Sequence, residues 1–323
     1  MARHVTVSCV TAPALPLGTD VGIEAAVEAE IVHWTDRIDA ILSEGPDLIV
    51  LPEAADRPSV DTFGGIDRQL DYLAHRGTRV REHLAQIARE NNTIIAYSAL
   101  RKDGELSRNR TEYIGRDGQV VGGYDKNHLV IDEHDQTGLE YSDDAEVIDL
   151  DFGRVGTVIC FDLNFDELRQ KYRGKGVELL VFSSEYHGGL MQNYWAYSLR
   201  SYLAASIRPP APSAIISPLG ETMAESTNYF AQVTQRINLD YALAHLDGHW
   251  DKLAAMKAKY REAVGIHDPG RLGSVLITAE SPDLTVAQLL AEYEIEPLDD
   301  YLDRTRAHRR TAMSGAVPAG AAE

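Results

Sequence analysis

Short apolar runs rich in β-branched residues recur along this chain, at residues 5–10, 46–52, 93–100, 155–159 and 177–183. A short, β-branched run with little or no polar face reads as a buried strand covered on both sides, so the chain is expected to build sheets with layers packed over them. The segments between these runs read as helices. Ile23, Val27, Ile31, Trp34, Ile38 and Ile41 step by three or four residues, which predicts one long amphipathic helix over residues 20–43. Val80, Leu84, Ile87 and Ala88 mark a second, ending near Asn91-Asn92. Strand and helix in alternation give an α/β fold.

The same reading expects a loop over residues 54–77 around Gly64-Gly65, and a hairpin of residues 111–115 and 119–124 about the turn Arg116-Asp-Gly118. It also expects an acidic loop over residues 127–144, a helix over residues 192–207, and closing strands at 213–217 and 231–239. Residues 1–245 are expected to form one domain. Residues 246–310 differ in kind: a charge-rich helix at 250–264, a strand-like stretch at 272–279, and a helix marked by Val286, Leu289, Leu290 and Tyr293. They are expected to be a C-terminal helical extension packing on the domain or on a partner subunit. Residues 311–323 have no pattern and read as a disordered tail.

Charge narrows the partners. Against 31 Lys and Arg stand 50 Asp and Glu, a formal charge of −19 that repels phosphate backbones and anionic membranes. Nucleic-acid binding is not expected, and no apolar run approaches the roughly 18 residues that span a bilayer. The first residues lack the apolar stretch of a signal peptide, so a cytoplasmic location is expected. Cys9 and Cys160 are the only cysteines, too few for a disulfide framework or a thiolate metal site. His128, Asp132, Glu133, His134 and Asp135 follow no familiar ligand spacing, and no metal or other cofactor is expected.

Chemistry concentrates at three strand ends. Glu53 follows the run at 46–52, Lys126 ends the second arm of the hairpin, and Cys160 sits between a strand and the helix start Asn164-Phe-Asp-Glu167. Ligands bind at the carboxyl ends of strands in α/β sheets, so a carboxylate, an ammonium and a thiol can converge there. Unpaired N–H groups at a helix start are expected to lower the Cys160 pKa. Glu53 can then serve as general base, Cys160 as nucleophile, and Lys126 with the Phe161 backbone N–H as oxyanion donors. Taken alone, Cys160 reads more readily as a small buried hydrophobe than as a nucleophile.

Leu51-Pro-Glu53, Tyr124-Asp-Lys-Asn-His-Leu129 and Ile159-Cys-Phe-Asp-Leu-Asn-Phe-Asp-Glu167 resemble, in order and separation, the three signature blocks of the nitrilase superfamily of carbon–nitrogen hydrolases. Asn109 and the dipeptide Gly153-Arg154 also sit where that family has them. The resemblance covers about residues 5–239. It implies a four-layer αββα sandwich with two mixed β-sheets between helix layers, a Glu-Lys-Cys triad, a thioester acyl-enzyme, and a homodimer or larger homo-oligomer. It further implies a second glutamate after the lysine. Glu133 matches that position best, with Glu140 in reserve.

The resemblance breaks where the family has an Arg-Ala-x-Glu-Asn-like stretch: here the chain reads Leu199-Arg-Ser-Tyr-Leu-Ala-Ala-Ser206, followed by a compressed Arg208-Pro-Pro-Ala-Pro212. Glu185, Tyr186 and His187 follow a strand whose end borders substrate in the resembled fold. They are candidate substrate-binding residues, suited to a small polar or amine-bearing acyl group. Cys160-Phe-Asp162 looks more like the amidase side of the family than the nitrile side. The expected activity is therefore hydrolysis of a small amide with release of ammonia or an amine, with N-carbamoyl amides and nitriles as alternatives. A reading of another class is a non-catalytic assembly or ligand-binding scaffold.

Overall fold

The computed structural model describes residues 1–103 and 106–314. The chain divides into two compact units, Val5–Ile237 and a second made of Met1–His4 with the chain from Asn238 onward. The first unit is built on strands β1 (His4–Val10), β2 (Leu48–Val50), β3 (Ile94–Asp103), β4 (Leu106–Ile114), β5 (Val120–Asp125), β6 (Ile148–Leu150), β7 (Gly153–Ile159), β8 (Leu179–Ser184), β9 (Tyr202–Ile207), β10 (Ala214–Ile216), β11 (Thr222–Glu225) and β12 (Gln232–Asn238). They form two six-stranded sheets, in the orders β12-β1-β2-β3-β4-β5 and β11-β10-β9-β8-β7-β6. Each sheet has a parallel core, β1-β2-β3 or β7-β8-β9, continued by antiparallel strands. Both are mixed sheets.

Helices cover one face of each sheet. Trp34 and Ile38 of α1 (Ile23–Asp39), Phe63 of α2 (Val60–Phe63), Tyr72 of α3 (Ile66–Arg76) and Leu84 and Ala88 of α4 (Arg79–Asn91) pack with Ile49, Ile95 and Tyr97 of the first sheet. A short helix α5 (Ile131–Thr137) lies in the loop after β5. On the second sheet, Leu168 and Tyr172 of α6 (Asp166–Tyr172) and Trp195 and Ala196 of α7 (Leu190–Leu199) pack with Val158, Leu180 and Phe182. Burying each such side chain stabilises by about 1.5–3 kcal/mol, so the alternating strand faces fix which side meets the helices. The sheets meet each other through their remaining faces. There Ser183 Oγ donates to Leu51 O (2.9 Å), Ser206 Oγ to Val10 O (3.0 Å) and Thr11 Oγ1 to Ile207 O (2.5 Å), and the hydroxyls of Tyr113 and Thr157 pair at 2.6 Å. The result is the expected helix–sheet–sheet–helix sandwich.

Two segments differ from the sequence reading. Residues 54–77 are not a loop, because α2 and α3 together occupy most of them. The inner face of α3 carries Gln69, Tyr72 and Arg76, and the polar two are buried only because Gln69 donates to Pro58 O and Arg76 to Asp56 and Leu100 O. An apolar repeat cannot reveal such a helix. Residues 192–207 are likewise not one helix: α7 ends at Arg200, whose φ is +58°, and β9 follows, buried along its whole length between β8 and β10. The second unit carries α8 (Trp250–Tyr260), α9 (Val286–Glu292) and α10 (Leu298–Met313) as the expected helical part. It also holds an antiparallel sheet, β13-β15-β14, of β13 (Tyr241–His245), β14 (Val264–His267) and β15 (Ser274–Ala279), with Met256, Val275, Ile277 and Leu289 in its core. The tail expected over residues 311–323 begins later than that, because α10 continues to Met313, and beyond residue 314 it lies outside the described residues. Among those described, no helix is long and apolar enough to cross a membrane.

One buried acid in the first unit makes stability depend on pH. Glu30 on α1 is 1% exposed, and burial first, then Asp56, push its carboxyl up to about 8, against Arg208, the Trp34 hydrogen bond and Arg76. An unfolded Glu titrates near 4.3. Between these values the folded chain holds a proton that the unfolded chain has released, so this group's contribution to stability is lost as pH rises toward 8. Glu30→Gln is expected to raise Tm relative to the parent more at pH 9 than at pH 6. Equal shifts at the two pH values in calorimetry would contradict the assignment.

Candidate active site

Lys126 follows β5 and is 1% exposed, so its ammonium has lost nearly all its water. A buried charge persists only with partners, and two carboxylates supply them. Nζ donates to Glu53 Oε1 (2.7 Å) and to Glu133 Oε1 (3.0 Å) and Oε2 (2.8 Å). Burial alone would lower the Lys126 pKa, but Glu53, then the Cys160 sulfur and Glu133, outweigh it and hold the group above its ordinary range. Glu53 arrives from the end of β2, two residues past Leu51. Glu133 arrives on the first turn of α5, where Oε2 also accepts the Val130 N–H at 2.8 Å and so caps its own helix. Of the two loop glutamates, Glu133 is the one whose carboxylate meets Lys126. The Glu140 N–H donates instead to Ser107 O. Asn109 of β4 joins the cluster, its Nδ2 donating to Glu53 Oε1 (2.8 Å) and Glu133 Oε1 (3.2 Å), while its carbonyl accepts the Lys126 backbone N–H.

Cys160 lies directly after β7, at the start of a single 3-10 turn, Cys160–Asn164, with φ +48°. A side chain in this left-handed region costs roughly 1 kcal/mol or more, and the turn throws the thiol out of the strand end. The expectation of a lowered thiol pKa does not hold. Burial first, then the negative Glu53 beside it, push the Cys160 thiol well above its ordinary value, and Lys126 only partly opposes them. A hydrogen bond with Glu53 favours the thiol form, whereas the Glu185 backbone N–H favours the thiolate. The helix that was expected to supply unpaired donors begins only at Asp166, and the thiol sits instead at the start of the 3-10 turn.

The turn is pinned from below by a residue that sequence reasoning did not single out. Asp162 is 0% exposed, and its Oδ2 accepts from Tyr124 OH (2.7 Å) and the Ile159 N–H (3.1 Å). Its Oδ1 accepts the His128 N–H (2.7 Å) and lies 3.2 Å from His128 Nδ1. One carboxylate therefore ties the thiol turn to the segment on both sides of Lys126. Phe161, between Cys160 and Asp162, packs edge-on against Phe165, whose ring stacks on His128.

Glu185, Tyr186 and His187 stand at the end of β8, with different relations to the thiol. The Glu185 backbone reaches Cys160, but its carboxylate pairs with Arg57 Nη2 (2.6 Å) and Arg208 Nε (3.2 Å). It is not a free anion waiting for an amine. Tyr186 packs on Phe182 and accepts from Asn164 Nδ2 at 2.9 Å, and burial followed by the charge of Cys160 pushes its phenol up to about 12. His187 braces its own turn: Nδ1 accepts the Gly189 N–H and its carbonyl accepts from Gln192. Among the described residues, no group of three His, Cys, Asp or Glu side chains is arranged to hold a metal ion.

Comparison with known proteins gives the same family that the three blocks resemble. The family model described as carbon-nitrogen hydrolase matches residues 21–242. The chain is 25% identical over 237 residues to the chloroplastic omega-amidase of Arabidopsis thaliana, covering 66% of this chain and 64% of that protein. It thus spans somewhat less than two thirds of that relative's length. Among solved structures, Saccharomyces cerevisiae Nit3, a member of branch 10 of the nitrilase superfamily, superposes with a TM-score of 0.61 at 16% identity, over 84% of this chain and 97% of that one. An amidase from Nesterenkonia sp. AN1, in a form with the acetamide moiety of fluoroacetamide added covalently at its active-site cysteine, gives 0.58 at 17% identity, over 73% and 91%. With a family match across two thirds of its length, this chain belongs to the carbon-nitrogen hydrolase family.

Proposed function

We propose that the chain is a cofactor-free thiol amidase that cleaves a small amide through an acyl-Cys160 thioester. The observation that carries this reading is the place of Glu53, which is hydrogen-bonded to the Lys126 ammonium and near enough to the Cys160 thiol to raise its pKa. When an amide carbonyl enters, Glu53 takes the thiol proton as Sγ attacks the carbon. The oxyanion is received by Lys126 Nζ and the Phe161 N–H. As the intermediate collapses, Glu53 returns the proton to the departing nitrogen, and ammonia or an amine leaves. A water then gives a proton to Glu53 and attacks the thioester, and the acid departs as the Cys160 thiol is restored. Lys126 stays cationic throughout, because its neighbours hold it so. Glu133 and Asn109 keep that ammonium aimed, and the amidase and omega-amidase relatives support the substrate class.

The raised thiol pKa fits this order of events, since proton transfer accompanies attack and no standing thiolate is needed. Cys160→Ala is expected to abolish ammonia release from an amide panel while leaving Tm within a few degrees, and turnover by that variant would sink the proposal. In the free protein, Cys160 alkylation by iodoacetamide is expected to keep rising through pH 10 without levelling near pH 8. Cys9, 0% exposed, stays unlabelled in peptide mapping. A plateau at neutral pH would mean a preformed thiolate. Glu133→Gln keeps the size of the side chain but sets an amide N–H against the ammonium. It is expected to lower kcat by at least about tenfold with KM little changed, as for loss of a group acting in the transition state; a rise in KM alone would remove Glu133 from that role.

A further inference from the structure

Arg208 stands where the resemblance to the family fails, just past β9 at the head of the compressed Pro-rich loop, and it is 7% exposed. Its backbone N–H donates to Ser184 O, next to Glu185. Its guanidinium reaches three other segments. Nη2 donates to Ala54 O (2.6 Å) and Ala55 O (3.2 Å), Nη1 to Ala12 O (3.3 Å), and Nε lies 3.2 Å from Glu185 Oε1. The two ends of this span matter because of what adjoins them. Ala54 follows Glu53 directly and holds φ +45°, a left-handed conformation that a residue with a Cβ keeps only when its surroundings enforce it. Glu185 presents its N–H to the Cys160 sulfur, and Arg57 steadies the same carboxylate from the other side.

We infer that Arg208 is a positioning residue that sets the separation of Glu53 and Cys160, by bracing the Ala54–Ala55 carbonyls and Glu185 with one rigid guanidinium. It touches no reacting atom. A planar fork with several fixed donors can hold two carbonyls and a carboxylate at once, whereas an ammonium on a flexible stem cannot keep all of them in register. The inference rests on the amidase reading for its kinetic consequence, but its geometric content is read from thiol reactivity, which needs no substrate.

The test uses Arg208→Lys, which keeps the buried charge, and Glu185→Ala, which releases the far end of the brace and leaves Arg208 on its carbonyls. Each protein is assayed for Tm, for alkylation of Cys160 and Cys9 by iodoacetamide at pH 8, and for kcat and KM on the best amide of a panel. Both variants are expected to fold, to change the rate of Cys160 alkylation at least about fivefold with Cys9 still protected, and to lose kcat at least about tenfold with KM within threefold. Cys160 alkylation within twofold of the parent in both variants would overturn the inference. So would labelling of Cys9 alongside Cys160, the mark of general loosening, or a rise in KM at unchanged kcat, the mark of a substrate contact. If the parent hydrolyses no amide, the amidase reading fails, and the alkylation rates still decide the role of Arg208.

Discussion

One buried ammonium organises this site. Removing Lys126 from water costs several kcal/mol even after relaxation, and the cost is offset only where anions and hydrogen-bond acceptors are already in place. Here they come from three separate parts of the first sheet and its loops: Glu53 beyond β2, Glu133 on α5, and the Asn109 carbonyl on β4 that holds the Lys126 backbone. Each of those positions is thereby fixed to the others through one residue, the two carboxylates by its Nζ and the Asn109 carbonyl by its backbone N–H. The same arrangement leaves little freedom for substitution, because removing one carboxylate strands part of a charge in the protein interior. Function and local stability are bound together at this point.

The thiol is held in the opposite condition. It is partly buried beside a negative carboxylate that the nearby ammonium only partly offsets, so its neutral form is preferred at rest. Asp162 does for the thiol turn what Glu133 does for the lysine, supplying a desolvated acceptor on which Tyr124 and His128 from one segment and Ile159 from another converge. Neither carboxylate needs to contact a substrate to matter. They define where the reacting atoms stand, and the sheets beneath them supply the rigidity.

How much of this was legible in the sequence follows from the range of each interaction. The strands could be read because apolar β-rich runs signal burial by themselves, and Glu53, Lys126 and Cys160 could be read because each follows such a run. The match of Glu133 came from family resemblance, and the structure adds its cap on Val130, a local signal that a Glu three residues into a helix offers in principle. Helix α3 was not legible, since its buried face is partly polar and its burial depends on Asp56 and Pro58 O. Nor was β9, which continues an apolar stretch from α7 with only Arg200 marking the change. The roles of Asp162 and Arg208 rest on contacts between segments tens to more than a hundred residues apart, where no local pattern exists to be read.

The hydroxyl contacts between the two sheets have a consequence for how a substrate enters. Ser183, Ser206 and Thr11 each bond across the sandwich to a carbonyl at or just past the end of a strand in the parallel cores, the same margin that carries Glu53 and Cys160. The sandwich is therefore stitched shut along its reactive rim, and parting of the sheets is not an available route to the thiol. Access to the thiol is left to the surface segments over that rim, those bearing Glu133 and Glu185 among them.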